Sequence, residues 1–234
     1  MDKLLINGPS KLKGSVRVSC AKNAYLPILA GVLLSPKKIQ LKHLPKLNDI
    51  NTMSKLLSNL GVKIEKRGEE TTFDASNLTS YAATYDLVKT MRASILVLGP
   101  LLARFGQAKV SLPGGCAIGE RPIDIHLANL QKMGAEIKLE GGYVEASCKK
   151  LKGAKLVLSF PSVGATENLM LAAVLAEGTT ILENAALEPE IEDLGNFLNA
   201  MGAKVTGHGT TIITIEGLHS ANELKEVQYT AIGD

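Results

Sequence analysis

One segment of the chain, from Leu112 to Pro122, combines residue types that suit chemistry on a small substrate. Its sequence, Leu-Pro-Gly-Gly-Cys-Ala-Ile-Gly-Glu-Arg-Pro, sets one cysteine among three glycines and two prolines. Free cysteine has a pKa of about 8.5, which nearby cations such as Arg121 lower. The segment therefore predicts a presented thiol, Cys116, that acts as a nucleophile or a proton donor. The nearby His126 has two open interpretations, a satisfied polar residue or a base.

Polar residues also precede the three most apolar helices that the sequence predicts. Lys22 and Asn23 stand at the first helix, Arg92 at the second and the stretch Ser162–Gly164 at the third. The first N–H groups of a helix have no partner within it and attract anions. If the three helix starts converge, they form a site for phosphate or carboxylate together with the two cationic side chains. For Ser162 alone, an ordinary N-cap is the competing interpretation.

An internal repeat places these groups at equivalent positions. The stretches Leu57–Ile64, Leu130–Ile137 and Leu198–Val205 recur at intervals of about 70 residues, each with the end of an amphipathic helix, a glycine and an alternating strand. Each unit has the predicted order β-α-β-α-β-β, and the cysteine segment is an insertion of about five residues relative to the first unit. The predicted class is α/β (α+β), a closed pseudo-threefold domain with apolar helices inside and sheets outside. A doubly wound sheet competes, but its units carry no such period. The units are placed at 15–76, 84–147 and 154–217.

Composition excludes several classes of function. The chain has 234 residues, 45% hydrophobic residues and a net charge of +3, so it predicts a globular protein and does not indicate nucleic-acid binding. No apolar run approaches the roughly 20 residues that span a bilayer. The three cysteines are widely spaced and the four histidines lack ligand spacing, so we expect no disulfide framework, no metal site and a cytoplasmic setting.

Four of these segments together resemble the UDP-N-acetylglucosamine 1-carboxyvinyltransferase family. The resemblance implies an inside-out α/β barrel of threefold repeats. It also implies transfer of the enolpyruvyl group of phosphoenolpyruvate to the 3-hydroxyl of UDP-N-acetylglucosamine, with release of phosphate and with no cofactor, in peptidoglycan precursor synthesis. The segments that carry it are Ala21–Ala24, Met91–Ser94, Leu112–Pro122 and Val163–Thr166.

By the same resemblance, each matching residue takes a role. Cys116 is the catalytic proton donor, forms an adduct with phosphoenolpyruvate and reacts with fosfomycin. Lys22 contacts phosphoenolpyruvate, and Asn23 lies at the reacting part of the sugar. The remaining residues bind substrate anions, the uracil ring and the diphosphate, and they are Arg92, Arg121, Pro122, Ile123, Asp124, Ile125, Ser162, Val163 and Gly164.

The sequence departs from the family in length, because members have two such domains. We therefore expect residues 1–20 to be a strand segment of a second domain, 21–229 to be the cysteine-bearing domain and 230–234 to begin the rest of the second domain. The family's catalytic aspartate would lie outside this chain, so the chain alone is expected to be inactive and open to self-association, although the full-length form is expected to be monomeric. A smaller departure is Phe160-Pro161, where many members carry a lysine.

Two other functions stay open at this stage. One is a non-catalytic module that binds a nucleotide sugar, or a remnant of a split gene, because the binding motifs are present without the whole machinery. The other is a purely structural domain, which would neither bind nor react.

Overall fold

The computed structural model describes residues 3–88, 91–112 and 123–234. Its α-helices are α1 (Lys22–Gly31), α2 (Asn48–Asn59), α3 (Tyr85–Val88), α4 (Leu98–Phe105), α5 (Asp124–Lys132), α6 (Val163–Ala173) and α7 (Pro189–Ala200). Its strands are β1 (Lys38–Lys42), β2 (Lys63–Arg67), β3 (Glu70–Asp74), β4 (Ala82–Ala83), β5 (Gln107–Ser111), β6 (Glu136–Glu140), β7 (Tyr143–Ser147), β8 (Lys155–Val157), β9 (Thr179–Glu183), β10 (Lys204–Thr206), β11 (Ile212–Glu216) and β12 (Val227–Tyr229). Short 3₁₀ segments cover Val32–Leu34, Arg92–Val97 and Ala221–Glu223. Within these ranges, no helix combines the length and the apolar character that a bilayer crossing requires.

Over the same ranges the strands form three four-stranded sheets with one shared topology. Their orders are β12-β1-β3-β2, β4-β5-β7-β6 and β8-β9-β11-β10. In each sheet a short edge strand pairs parallel with the next strand, and the other two pairings are antiparallel. The predicted threefold repeat is therefore confirmed.

The glycines of the repeat end equivalent helices. Gly61, Gly134 and Gly202 follow α2, α5 and α7 with φ of +106°, +94° and +96°. This left-handed region is costly for residues with a Cβ atom, so glycine permits each helix to stop and the chain to turn into a strand.

The first unit differs from the prediction in its leading strand, which the repeat pattern places near residue 15. The parallel edge strand of the first sheet is β12, which reaches β1 from the other end of the sequence through Ile39–Val227 and its neighbours. The Tyr229 hydroxyl anchors β12 by donating to Asp193 Oδ1 at 2.7 Å. Residues 3–19 lie in no strand, and their assignment to a second domain stays a prediction. A hydrogen bond joins the predicted segments 21–229 and 230–234, because the Ala21 N–H donates to the carbonyl of Ile232 at 2.8 Å.

The apolar helices lie inside and the sheets outside, as predicted. Residues 24–31 of α1 and 165–173 of α6 are buried, whereas β2 and β6 are largely exposed. α1 packs on α2 and α7, and α4 packs on α6. Hydrophobic burial therefore holds the three units together around their central helices.

The central helix of the second unit is interrupted. The chain follows a 3₁₀ path over Arg92–Val97 and becomes α-helical from Leu98. Pro100 lies in the first turn of α4, a position where proline is tolerated because its missing N–H has no partner within the helix. The start of this segment at Arg92 agrees with the predicted helix start.

Candidate functional site

The N-terminus of α6 presents backbone donors to solvent. Ser162 Oγ accepts the N–H of Ala165 at 3.4 Å, and the Ser162 carbonyl accepts the N–H of Thr166 at 2.9 Å. The serine is thus an N-cap, as the competing interpretation held. The N–H groups of Val163 and Gly164, the first two of the helix, have no acceptor among the described residues. These two N–H groups can donate hydrogen bonds to a ligand, and they lie at the positive end of the helix dipole.

A buried hydrogen-bond network lies directly behind this helix start. Asn168 of α6 is fully buried and links two other elements. Its Oδ1 accepts the N–H of Gly99 at 2.7 Å, and its Nδ2 donates to the carbonyl of Ile95 at 3.2 Å. The same Nδ2 lies 2.9 Å from Nδ1 of His126. Asn168 therefore fixes α6, the 3₁₀–α4 junction and α5 relative to one another.

The His126 ring lies against Gly164. A Cβ atom placed on Gly164 would sit 3.6 Å from His126 Cε1 and 3.7 Å from Nε2. Burial lowers the pKa of His126 to about 4, Asp124 opposes this shift, and the positive charge of Arg92 adds to it. His126 is consequently neutral at pH 7 and is unsuited to act as a cationic ligand. Arg92 thus acts electrostatically on the same ring that lies against Gly164.

The start of α1 forms a second predicted group. Lys22 is the first residue of α1, and its ammonium group forms an ion pair with the Asp49 carboxylate of α2 at 3.0 Å. Asn23 follows and is exposed. No side chain of residues 3–88, 91–112 or 123–234 caps this helix start, so its N–H groups lack a side-chain acceptor within these ranges, as those of Val163 and Gly164 do. The 3₁₀ segment that begins at Arg92 contacts both α1 and α6.

Other predicted site residues have mixed positions. Ile123 is the N-cap of α5 and is half-buried, Asp124 begins the helix and is exposed, and Ile125 is buried in the core. Arg92 and the Ser162–Gly164 stretch come together with α5 around His126. The positions of Cys116, Arg121 and Pro122 lie outside the described residues, so their roles stay predictions.

A cavity of about 640 Å³ lies elsewhere, between residues 17–20, the β2–β3 hairpin and residues 230–233. None of the predicted site residues lines it. Part of its wall is the exposed segment near the start of the chain, which is tied to residues 233–234 by the Cys20–Gly233 bridge and by the Asp234 N–H, which donates to the Ser19 carbonyl at 3.0 Å. The volume therefore marks a gap beside that segment, and the open backbone donors at α6 mark the candidate site.

The sequence did not predict which side chains contact His126 and Lys22. The partners of His126 and Lys22 are Asn168 and Asp49, which lie 42 and 27 positions away along the chain. The sequence signal was the position of Asn168 just after Ser162–Gly164, at the start of the apolar part of the helix. A polar residue at such a buried position must find hydrogen-bond partners.

The family of the chain follows from comparison with known proteins. A family model described as EPSP synthase (3-phosphoshikimate 1-carboxyvinyltransferase) matches residues 6–234. The chain belongs to this family. Among curated relatives in the family, the UDP-N-acetylglucosamine 1-carboxyvinyltransferases of Enterobacter cloacae and Klebsiella pneumoniae are each 59% identical over 219 residues, which is 93% of this chain and 52% of the relative. The chain thus spans about half the length of the curated relatives it matches.

Solved structures support the EPSP synthase family fold independently. The enolpyruvyl transferase NikO from Streptomyces tendae superimposes with a TM-score of 0.83 at 23% identity, covering 97% of this chain and 53% of NikO. An EPSP synthase from Acinetobacter baumannii gives a TM-score of 0.72 at 20% identity, covering 94% of this chain and 50% of that structure. At such identities the likeness concerns the fold, and it confirms the inside-out arrangement of repeats.

Proposed function

We propose that this chain is the substrate-binding, cysteine-bearing part of an enzyme that transfers an enolpyruvyl group from phosphoenolpyruvate to the 3-hydroxyl of UDP-N-acetylglucosamine. The relatives at 59% identity carry the name of that activity. The observation that carries the proposal is the grouping of Arg92, the His126 ring and the open N–H groups of α6. A diphosphate fits it, because it requires fixed donors and positive potential.

The proposed reaction is an addition followed by an elimination. A proton adds to the methylene carbon of phosphoenolpyruvate, and the sugar 3-oxygen bonds to the neighbouring carbon as the hydroxyl loses its proton. The carbon–oxygen bond to phosphate then breaks, and the methyl carbon returns a proton to restore the double bond. The products are the enolpyruvyl sugar nucleotide and phosphate. Cys116 is the proposed donor of the first proton and the residue that forms the covalent adduct.

Substrate binding divides between two helix starts. Lys22 and the uncapped start of α1 are proposed to hold phosphoenolpyruvate, with Asn23 beside the reacting hydroxyl. The Lys22 ammonium then exchanges Asp49 for the substrate, which is feasible because both side chains are more than a third exposed, at 39% and 36%, and such pairs are weak.

The diphosphate and uracil of the sugar nucleotide are proposed to lie at α6 and α5. The proposed residues are Arg92, Arg121, Pro122, Ile123, Asp124, Ile125, Ser162, Val163 and Gly164.

The activity is proposed for the whole protein, since this chain covers 52% of the relatives' length. We expect the 234-residue chain to bind UDP-N-acetylglucosamine without steady turnover. Residues 1–20 would pair with a second domain, and the full-length protein would act as a cytoplasmic monomer in peptidoglycan precursor synthesis.

Calorimetric titration of the chain with UDP-N-acetylglucosamine tests the binding part of this proposal. Arg92→Ala should weaken binding at least about tenfold, because a charge-assisted contact is worth about 1.5–3 kcal/mol. The control Arg67→Ala removes an arginine whose side chain is 86% exposed on β2, and binding should not change. Equal losses in both variants, or no binding by the wild-type chain, would contradict the proposed site.

Fosfomycin labelling and phosphate release test the chemistry. Intact-mass analysis should show one adduct that disappears in Cys116→Ser and persists in Cys148→Ser, since burial raises the pKa of the half-buried Cys148 and suppresses its thiolate. Steady phosphate release by the chain alone would refute its expected inactivity. Binding of UDP-N-acetylglucosamine without labelling or phosphate release, even after the second domain is added as a separate chain, would instead favour a nucleotide-sugar-binding module.

A further inference from the structure

The His126 ring has one nitrogen whose role the hydrogen bonds determine. Asn168 Oδ1 accepts the N–H of Gly99 at 2.7 Å, and this contact fixes which end of the amide is oxygen. The other end is therefore the NH₂ group, which has two hydrogens to donate. One goes to the carbonyl of Ile95 at 3.2 Å, and the other faces His126 Nδ1 at 2.9 Å.

Because a donor faces Nδ1, this nitrogen must be the acceptor of the ring. The ring is neutral, since burial holds its pKa at about 4, and a neutral imidazole carries its single proton on the other nitrogen when one accepts. The proton is therefore on Nε2. The structure thus selects one tautomer of His126 without any ligand.

The Nε2–H group lies beside the start of α6, where it has no partner among the described residues. The side chain is 6% exposed, yet no described residue accepts a hydrogen bond from Nε2. It lies 3.7 Å from the position that a Cβ on Gly164 would take, so the absence of that side chain leaves the approach open. Arg92 lies near enough to affect the same ring electrostatically.

We propose that His126 is a binding residue of the sugar-nucleotide site, with its Nε2–H as a fixed donor to an oxygen of the diphosphate seated on the α6 N-terminus. This inference rests on the proposed function and adds a third donor to the two open N–H groups of Val163 and Gly164. Asn168 acts on the ligand only through the ring, so it is a positioning residue. A neutral donor suits this place because a second full cation beside Arg92 would be repelled.

A matched pair of variants separates binding from structure. In His126→Asn the amide oxygen takes the place of Nδ1, so Asn168 keeps its acceptor but the Nε2–H is lost. In His126→Gln the amide nitrogen takes the place of Nε2, so the donor is kept and the contact with Asn168 is lost. We expect the wild-type chain and His126→Gln to bind UDP-N-acetylglucosamine within a few-fold of each other. We expect His126→Asn to bind about 10- to 100-fold more weakly, from the worth of a hydrogen bond to a charged group.

A merely structural role predicts the reverse order, with affinity following the urea unfolding midpoint and His126→Gln the more impaired. That order, or wild-type affinity in His126→Asn, would overturn the inference. Nitrogen-15 NMR of the ligand-free chain at pH 7 gives an independent result, with the signals of His126 assigned by their loss in His126→Asn. A proton found on Nδ1 would also overturn it. If the wild-type chain bound no UDP-N-acetylglucosamine, the proposed function and the donor role would both fall, and the NMR result would still decide the tautomer.

Discussion

Replacing Glu167 with glutamine should change how the stability of the chain depends on pH. Glu167 lies on α6, is 5% exposed, and forms no hydrogen bond with another described residue. Burial raises the pKa of its carboxyl well above 4.5, and the charges of Glu190 and Glu188 raise it further. The folded chain therefore keeps this carboxyl protonated at pH values where the unfolded chain ionises it.

The direction of the effect follows from proton linkage. Above pH 4.5 the unfolded state releases this proton and the folded state retains it, so stability falls as pH rises until the folded pKa is passed. The slope is about 1.4 kcal/mol per pH unit whatever the size of the shift. Below pH 4.5 both states are protonated, and Glu167 contributes no pH dependence.

His126 acts in the opposite direction over part of the same range. Its pKa falls from 6.5 to about 4 on folding, so the unfolded state binds the extra proton and stability rises with pH between these values. The total is about 3 kcal/mol from a slope of about 1.4 kcal/mol per unit. The wild-type curve alone thus conceals the two groups, and the difference between variant and wild type is the informative quantity.

Urea unfolding of wild type and Glu167→Gln at several pH values between 4 and 9 gives that difference. The advantage of the variant should grow by about 1.4 kcal/mol per pH unit above pH 4.5 and then level off at the folded pKa. The second variant Glu190→Gln removes a neighbouring charge that raises the pKa of Glu167. The stability difference between the double variant and Glu190→Gln alone should therefore level off at a lower pH. A difference that does not change with pH would refute the reasoning, because it would mean that Glu167 ionises in the folded chain as it does in the unfolded chain.

Two further predictions concern packing and the closing strand. Gly99→Ala should cost about 3 kcal/mol, because the added Cβ would lie 2.4 Å from both the backbone oxygen and Oδ1 of Asn168; an unchanged melting temperature would contradict this close approach. Tyr229→Phe should cost about 1–3 kcal/mol, since it removes the 2.7 Å bond to Asp193 that anchors β12, and calorimetric melting should show the loss. The control Tyr81→Phe alters an exposed ring and should stay within about 0.5 kcal/mol of wild type; equal losses in both would argue against an anchoring role.

Local signals predicted most of the fold. The three repeat glycines mark backbone conformations that few other residues adopt, so Gly61, Gly134 and Gly202 located the helix ends correctly. Apolar content all round α1 and α6 predicted burial in the same direct way. These features depend on residues that are neighbours in sequence, and the sequence shows such relations directly.

Contacts between residues far apart in the sequence could not be predicted from local patterns. The repeat pattern predicts a leading strand near position 15 in the first unit, whereas β12 takes that place through the Ile39–Val227 pairing and the bond from Tyr229 to Asp193. Strand propensity is weak evidence because pairing context dominates it. The same limit explains why the Lys22–Asp49 ion pair was not predicted.

The two parts of the candidate site, at α6 and at α1, differ in whether their side chains are already oriented for a ligand. Asn168 is held by its bonds to backbone groups of Ile95 and Gly99, and it in turn orients His126. If His126 is the proposed donor, it is in place before a ligand arrives and its ordering costs little on binding. Lys22 instead holds Asp49 and must exchange that partner. Asn168 also packs so closely against Gly99 that a Cβ atom there would clash with it. The same side chain therefore contributes to core packing and orients His126. Changes that loosen the α4–α6 contact should therefore weaken binding at α6 more than at α1, although neither Asn168 nor Gly99 touches the ligand.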